Sequence, residues 1–556
     1  MFPFLALFLS LGMLSWAQLA TQPVIVYRGA LNSASLAPPG LPNGGLARGS
    51  VFTIFGANIG PTSPATVNTF PLLPNFNGVN LSVSQGGTSV SAIPIFVSAN
   101  QINAILPSNA PLGAASLRVG FNGRTSASVQ IQVVENAPGI YAISSGGYGP
   151  AVVQNFNTDL DQPVNSLDTA AARGQVITIW GTGLGRVPFA DNVAPTALNL
   201  EVPVTITIGE RDAVRLYAGR SPCCSGVDQI VVRIPEDAPL GCYVPLRIRA
   251  GNGVSNTVTM AIAATAGARC TDAFNPFTSL IRNSRRQGMI LLDRTLNQVD
   301  THITAVEQNT TESARAFFLT REPSPFVFDP QFSYPPPGSC LVQQTTGNAF
   351  RGAPLRGTPA AASALDAGLS LRLTTPFSGN VEIPRSTSPQ AGYSAMVSSL
   401  RTGDGVGLPK LDFPNATTLS FNGAIGEASI QPNSSNQFSW GGRALLERIR
   451  RDVITRIPFT PNDYNASSEL SLVAYSAVHD ATTAITCVAA PGISEFLLTP
   501  DLMANLPLSQ GRVDGSFAMI GIGIVPLTRA VPFSASGLDG GLLLFSQWQT
   551  KSVYIQ

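Results

Sequence analysis

Short runs of alternating apolar and polar residues, separated by turn residues, extend along most of this chain. The segments "VFTIFG", "VITIWG" and "VTITIG" alternate with a period of two, the pattern of a strand with one buried face. The segment "LRVGFNGRTSASVQIQV" places Asn-Gly between two such runs, which is the strongest short signal for a β-hairpin. Turn residues recur about every ten positions, so the pattern predicts an all-β protein built from sandwich domains.

One block of this pattern occurs twice. "RGSVFTIFGANIG" begins at Arg48, and "RGQVITIWGTGLG" begins at Arg173. Downstream, "NQINAILPSNAPLG" is paralleled by "DQIVVRIPEDAPLG". Repetition over this length indicates duplication of one domain. We therefore expect tandem Ig-like β-sandwiches of about seven strands each, over residues 24–137 and 138–270.

Three closely spaced glycines in the second copy first suggest a phosphate-binding turn. A dinucleotide-binding turn has the spacing G-x-G-x-x-G and opens a helix. Here the spacing is G-x-G-x-G, and the prolines of "RVPFADNVAPTALN" argue against a following helix. The first copy has Asn58 at the position of Gly183, and both residue types tolerate a left-handed backbone. The sequence predicts a tight turn after a strand and no nucleotide site.

These segments resemble IPT/TIG-type Ig-like domains, in which a small-Gly-Ser opening and alternating apolar residues lead into Gly-x-Asn-apolar-Gly. The span from about Tyr27 to Cys270 is similar to a recurrent module of secreted acidobacterial proteins, through segments such as "GALNSAS", "IFVSANQIN", "NAPGIYA" and "YAGRSPCCSGVDQIVVRIP". The end of the chain resembles the β-domain that accompanies this module, through "LDAG", "GYSA" and "FLLTPDLMANLP". The resemblance implies tandem Ig-like folds and export, but no activity.

From Cys270 onward the pattern changes. "FTSLIRNSRRQGMILLDRTLNQVDTHITAVEQNTTESARAFFL" has few turn residues, and its apolar residues recur at intervals of three and four. This spacing predicts one or two helices, so we expect a short helical connector over residues 271–330. After three consecutive prolines the β pattern returns and predicts a C-terminal β-rich domain over residues 331–556. One domain is the first interpretation, and two sandwiches divided near Gly441 are the second.

Composition and charge narrow the class of protein. Charged residues make up only 12% of the 556 residues, and the formal net charge is +1. Without a basic stripe, nucleic-acid binding is not expected. The apolar run "MFPFLALFLSLGMLSWAQ" predicts a signal peptide over residues 1–17, with an uncleaved anchor as the alternative. After cleavage no stable transmembrane span is expected, and we predict a secreted, extracellular or cell-envelope protein.

Six cysteines are expected to form three disulfides, because their number is even in each half of an exported chain. They are Cys223, Cys224, Cys242, Cys270, Cys340 and Cys487. Adjacent cysteines rarely bond each other. We therefore expect both cysteines of "PCCSG" to bond Cys242 and Cys270, in an order that the sequence leaves open, and Cys340 to bond Cys487. A zinc site is disfavoured because "PCCSG" lacks the usual ligand spacing.

Candidate catalytic residues are few. The two histidines are His302 and His479, and the chain has no G-x-S-x-G or H-E-x-x-H motif. His479 precedes Asp480, and with Asp539 they define one alternative, an active site in the C-terminal β-domain. The leading prediction has no catalytic, cofactor-binding or metal-binding residues.

Paired carboxylates could in principle serve a glycosidase. The candidates are Asp159 with Asp161, and Glu236 with Asp237. The first pair also resembles half of a calcium loop, but it lacks the glycine at the sixth position and the closing glutamate. A solvated turn between strands is the better interpretation of that pair.

The duplicated scaffold without a catalytic constellation predicts a non-catalytic secreted or cell-surface protein. Its Ig-like domains would bind a polysaccharide or another surface protein, or act as spacers. Loops at the sandwich ends, or an aromatic sheet face, would make the contacts. The alternatives are an enzyme with its active site in the C-terminal β-domain, and a structural component of a matrix or envelope.

Overall fold

Two β-sandwiches follow one another in the first half of the chain, in the order of the two sequence repeats. The computed structural model describes residues 22–300, 306–346, 362–375, 379–386, 392–396, 410–412, 440–460, 468–509, 515–535 and 537–556. The predicted signal peptide and His302 lie outside the described residues. The predicted all-β class, with tandem β domains, is confirmed.

In the first repeat one path of strands runs through both layers of the sandwich. The strands are β1 (Val24–Asn32), β2 (Leu46–Ala47), β3 (Val51–Ala57), β4 (Ala65–Thr66), β5 (Asn75–Phe76), β6 (Val79–Gln85), β7 (Thr88–Val97), β8 (Gln101–Ile105), β9 (Gly113–Phe121), β10 (Arg124–Thr125) and β11 (Val129–Val134). Their order is β1-β3-β8-β7-β6-β9-β11-β2. Alternate residues of β6, including Leu81 and Val83, are buried in the core, as the period-two pattern predicts.

In the second repeat the two layers of the sandwich are separate sheets. The strands are β12 (Gly139–Ile140), β13 (Val153–Asn155), β14 (Ala171–Ala172), β15 (Val176–Thr182), β16 (Leu198–Asn199), β17 (Val204–Ile208), β18 (Arg211–Asp212), β19 (Val214–Arg220), β20 (Asp228–Arg233), β21 (Gly241–Ala250), β22 (Gly253–Val254) and β23 (Val258–Ala263). One sheet has the order β12-β15-β20-β19-β16, and the other has the order β14-β23-β21-β17-β18. Each sheet therefore closes one side of a single apolar core.

The two copies share their strand pairing. In the first, β3 pairs with β8 antiparallel and β11 pairs with β2 parallel. In the second, β15 pairs with β20 antiparallel and β23 pairs with β14 parallel. They differ in one connection. In the first copy β6 and β7 form a hairpin. In the second copy the strands at this place, β17 and β19, lie in different sheets, and the short strand β18 lies between them in sequence.

The glycine-rich stretch ends a strand in both repeats. The backbone φ is +55° at Asn58 and +101° at Gly183, so the predicted left-handed turn is confirmed. A Cβ atom at Gly183 would lie 1.9 Å from the carbonyl oxygen of Ala137, which leaves no room for a side chain. The turn brings two backbone segments together, and no helix follows it.

The C-terminal domain is one large sheet with smaller additions. Its helices are α1 (Pro276–Asn283) and α2 (Pro500–Met503), with 3₁₀ turns at Arg443–Leu445 and Leu527–Arg529. Its strands are β24 (Arg286–Asp300), β25 (Val306–Thr320), β26 (Ser339–Thr346), β27 (Ser363–Ala364), β28 (Ser370–Thr375), β29 (Gly379–Pro384), β30 (Tyr393–Met396), β31 (Lys410–Asp412), β32 (Arg448–Ile449), β33 (Thr455–Pro458), β34 (Ser468–Ser476), β35 (Ala481–Val488), β36 (Glu495–Leu498), β37 (Phe517–Ile524), β38 (Val531–Phe533) and β39 (Gly540–Ile555). The main order is β26-β35-β34-β37-β39-β24-β25-β27, so strands from both sides of Gly441 share one sheet.

The helical connector predicted for residues 271–330 is wrong for most of its length. Among the described residues of this segment only Pro276–Asn283 forms a helix, and β24 and β25 form a long antiparallel hairpin within the main sheet. The reason is burial on both faces: Met289 and Leu291 face one core cluster, while Ile290 faces another. A strand buried on both faces is a continuous apolar run without alternation, and such a run also satisfies helical spacing.

The second repeat and the C-terminal domain share a continuous apolar core. Tyr243 of β21 packs edge-on against Phe328, with ring centroids 5.7 Å apart, and its hydroxyl donates to the carbonyl of Val327 at 3.2 Å. Phe277 of α1 stacks on Phe332 at 4.8 Å in the same cluster. These contacts fix the second repeat on the C-terminal domain.

Candidate binding cleft between the two repeats

A buried ion pair lies where the second repeat meets the first. Asp228 begins β20, Arg220 ends β19, and both side chains are almost fully buried, with Nη1 and Oδ1 at 2.6 Å. The second carboxylate oxygen of Asp228 accepts the N–H of Leu184 at 2.8 Å. Arg220 also donates to the carbonyl of Gly185 at 2.7 Å. The pair therefore fixes the turn from which the loop after β15 leaves the second repeat.

Burial dominates the electrostatics of this pair. Desolvation raises the pKa of Asp228 to about 6, against the opposing effects of Arg220 and of the N–H groups of Leu184 and Gly183. The carboxylate is costly to ionise because it has no contact with water. The negative charge of Asp228 is therefore stabilised by the guanidinium of Arg220 and by the two backbone N–H groups.

The loop after β15 is fastened to the first repeat at two points. The N–H and the hydroxyl of Ser108 donate to the two carboxylate oxygens of Asp191, each at 2.7 Å. The same hydroxyl accepts the N–H of Val187 at 3.1 Å. Further along, the N–H of Leu72 donates to the carbonyl of Asn192 at 2.8 Å. Ser108 itself is buried, and together these bonds hold the loop in one position.

Between this loop and the first repeat lies an open cleft of about 750 Å³. Such a volume is within the range of sites for small organic ligands, about 300–1,000 Å³. Its walls combine phenylalanine and proline side chains with serine, asparagine and arginine; they include Ser89, Asn109, Arg186, Phe189 and Asn192. The ring of Phe189 is half-buried, and the side chains of Asn109 and Arg186 are exposed. The cleft therefore offers one ring face and several hydrogen-bonding groups.

The charges around the cleft balance. Arg48 lines it and forms an ion pair with Glu135, and this hydrogen bond is the main cause that lowers the pKa of the Glu135 carboxyl. Arg186 and Asp191 add one charge of each sign. With Glu135 counted as the partner of Arg48 beside the lining, the charges at the cleft sum to zero. Such a site suits an uncharged ligand with many donors and acceptors better than a polyanion or a polycation.

The disulfide pairing predicted for the second repeat is wrong. The structure bonds Cys223 to Cys224, and Cys242 to Cys270, whose Cα atoms are 5.6 Å apart. The reason is that the two pairs of cysteines lie against different domains. Cys242 and Cys270 lie in the core shared with the C-terminal domain, whereas the loop of Cys223 and Cys224 meets the first repeat, with Gly226 against Val51.

In the C-terminal domain Cys340 and Cys487 face each other across β26 and β35 and are bonded, as the sequence suggested. The chain between them has a sequence separation of 147, so the bridge closes a long loop. It joins the edge strand β26 to its neighbour β35.

The residues of the alternative active site are far apart. His479 and Asp480 lie in the turn between β34 and β35, and Asp539 precedes β39. The pairing of Ala518 with Val553 places the turn near the far end of β39, so at about 3.3 Å per residue Asp539 is about 40 Å away. Burial, followed by the charge of Arg28, lowers the pKa of His479.

The paired carboxylates form no site either. Asp161 belongs to an exposed turn, where its backbone pairs with Thr158 and its side chain accepts from Asn157 at 2.8 Å. Asp237 forms an exposed ion pair with Arg211 at 2.9 Å. Among the described residues, no three His, Cys, Asp or Glu side chains come together as metal ligands would.

Sequence reasoning missed the residues that build the cleft. Ser108 lies in "PSNAPLG", whereas the second repeat has "PEDAPLG" at this place. Asp191 and Phe189 lie in "RVPFADN", directly after the shared glycine motif. A difference between the copies of a duplicated domain is the signal that could have identified them, because the shared residues serve the shared fold.

Comparisons with known proteins give only distant likenesses. No protein-family model matches the chain, and no curated protein matches it. SGBP-B of Bacteroides ovatus, solved with a mixed-linkage heptasaccharide, is 13% identical over 39% of this chain and 44% of that chain, with a TM-score of 0.19. This chain thus spans less than half the length of that structure.

Two further structures match over more of their length. SGBP-B from a xyloglucan utilization locus in Bacteroides uniformis is 10% identical over 95% of this chain and 93% of that chain, with a TM-score of 0.16. A tetra-tandem repeat of a large adhesion protein is 12% identical over 96% and 98%, with a TM-score of 0.13. Likenesses this weak carry no argument about function.

Within the described part of the chain, no helix is both long and apolar enough to cross a lipid bilayer. The two described α-helices have eight and four residues.

Proposed function

We propose that this is a non-catalytic secreted or cell-surface protein that binds a neutral polysaccharide segment in the cleft between its two Ig-like repeats. The observation that supports this most is the cleft itself, about 750 Å³ in volume and lined by residues of both repeats. Its loop is held by two part-buried hydrogen bonds from Ser108 to Asp191, so the site is preformed. A preformed site loses little conformational entropy when a ligand binds.

The chemistry of the walls favours a sugar polymer over other uncharged ligands. Each sugar ring presents hydroxyl groups, which donate and accept, together with C–H faces that pack on an aromatic ring. Asn109 and Asn192 offer donors and acceptors, Arg186 offers donors, and Phe189 offers the ring. The cleft is open to solvent, so a polymer longer than the cleft can extend beyond it.

The test is direct titration of the full chain. Calorimetry with a panel of neutral and acidic polysaccharides should give saturable binding to at least one neutral polymer. Phe189→Ala and Asn109→Ala should each weaken that binding about tenfold, the effect of losing about 1.4 kcal/mol of contact. Leu160→Ala is the matched control, because Leu160 is fully exposed in the second repeat and outside the cleft.

Three results would contradict the proposal. One is the absence of binding to every neutral polymer of the panel. Another is unchanged affinity in both cleft variants. The third is turnover of a bound polymer, which would favour the alternative of an enzyme. Reversible self-association without any ligand, followed by light scattering, would favour a structural component.

A further inference from the structure

The loop between β19 and β20 carries an exposed disulfide between neighbouring residues. Arg220 and Asp228 form the buried ion pair at its base, and Cys223 and Cys224 are exposed near its tip. The other four bonded cysteines are between 2% and 7% exposed. Of the three disulfides, only this one can be reached by another molecule without opening of a domain.

This bond contributes little to the stability of the fold. A disulfide stabilises a domain mainly by restricting the unfolded chain, and the effect grows with the length of the loop that it closes. The separation is 147 residues for Cys340–Cys487 and a single residue for Cys223–Cys224. A bond between neighbours closes almost no chain, so its contribution through chain entropy is small.

The loop keeps its shape through other contacts. The N–H of Ser221 donates to the carbonyl of Val227 at 3.0 Å, and the N–H of Val227 donates to the carbonyl of Cys224 at 3.1 Å. The hydroxyl of Thr182 donates to the carbonyl of Gly226 at 2.6 Å. Opening the disulfide therefore leaves the ion pair at the base and these hydrogen bonds in place.

We propose that Cys223–Cys224 is a redox site whose substrate is a dithiol. In the first step a thiolate of the dithiol attacks Sγ of Cys224, the Cys223–Cys224 bond breaks, and Cys223 leaves as a thiolate that takes a proton from water. In the second step the other thiol of the reductant loses its proton and attacks the reductant sulfur that is bonded to Cys224. The bond to Cys224 breaks, and Cys224 leaves as a thiolate that is then protonated. The dithiol is oxidised to a disulfide, and two electrons and two protons reach the protein.

The local hydrogen bonds assign the direction of attack. The hydroxyl of Ser221 donates to Sγ of Cys223 at 3.2 Å. This bond stabilises negative charge on Cys223, so Cys223 is the better leaving group and Cys224 is the sulfur attacked. Ser221 is fully buried, which holds the hydroxyl in place.

The experiment treats the native full chain with dithiothreitol at neutral pH, quenches it with iodoacetamide and maps the labelled peptides by mass spectrometry. We expect labels on Cys223 and Cys224, none on the other four cysteines until denaturant is added, and an unchanged circular dichroism spectrum. Reaction with glutathione, a monothiol, should leave its adduct on Cys224. No labelling before unfolding, simultaneous reduction of all three bonds, or an adduct confined to Cys223 would overturn the proposal.

A pair of serine variants tests the leaving group. Ser221→Ala removes the hydrogen bond to Cys223 and should slow reduction roughly three- to tenfold, the range for one ordinary intramolecular hydrogen bond. Ser225→Ala is the matched control, since Ser225 lies in the same loop and its hydroxyl has no hydrogen-bond partner among the residues that the structure describes. We expect the control to react at the wild-type rate. Equal rates in both variants would contradict the role of Ser221.

Discussion

The buried carboxyl between the repeats predicts an unusual dependence of stability on pH. Asp228 has a pKa of about 6 in the folded chain, compared with an ordinary value of 3.8. The folded state therefore holds this proton more tightly than the unfolded state does. Its contribution to stability is complete below pH 3.8 and is lost as the pH rises through 6. At 1.36 kcal/mol per pKa unit, the loss amounts to about 3 kcal/mol.

The substitution Asp228→Asn isolates this contribution, because asparagine does not titrate. Urea unfolding followed by tryptophan fluorescence is a suitable assay, since Trp180 lies on β15 beside β20. The free energy of unfolding of the wild type, relative to the variant, should fall by about 2.4 kcal/mol between pH 4 and pH 7, since part of the contribution is already lost at pH 4. Asp237→Asn, at an exposed carboxyl, controls for the loss of one charge. A relative stability that is constant over this range, or that rises with pH, would refute the reasoning.

Three other predictions concern the stability of the fold. The double variant Cys340→Ala/Cys487→Ala should lose about 5 kcal/mol of unfolding free energy, the chain-entropy value for a separation of 147 residues, as measured by urea unfolding. Gly183→Ala should lower the melting temperature measured by calorimetry, because about 1–2 kcal/mol of backbone strain adds to a clash at 1.9 Å. Ser108→Ala should cost about 1–3 kcal/mol of unfolding free energy, because the Asp191 carboxylate and the N–H of Val187 each lose one hydrogen-bond partner, and limited proteolysis should then cut the loop after β15 faster.

The sequence predicted the elements whose pattern is local. The Asn-Gly of "FNGR" forms the predicted hairpin turn, with positive φ at Asn122 and Gly123 and with Phe121 paired to Arg124. The repeated motif likewise predicted the positive φ at Asn58 and Gly183. In these places a short stretch of chain decides its own geometry, because few backbone conformations satisfy a tight turn.

The errors arose where distant contacts decide the structure. The sequence pattern predicts a helix where β24 lies, because the two apolar faces of this strand pack on clusters that only the folded domain creates. Cys223 bonds its neighbour because the loop that holds it faces away from Cys242, and the spacing of cysteines carries no information about that orientation. The cleft was not predictable either, since Ser108 and Asp191 are 83 residues apart.

The position of β39 has a consequence for how the molecule is assembled during synthesis. This strand pairs in parallel with β24 and antiparallel with β37, so it fills the middle of the large sheet. The bond from Ser546 to Asp293 spans 253 residues. While residues 540–555 are still being made, β24 and β37 each present an open edge, and open edges invite pairing with other chains. The two repeats need no such distant partner, so we expect them to fold first and the C-terminal domain to be the part that depends on chaperones.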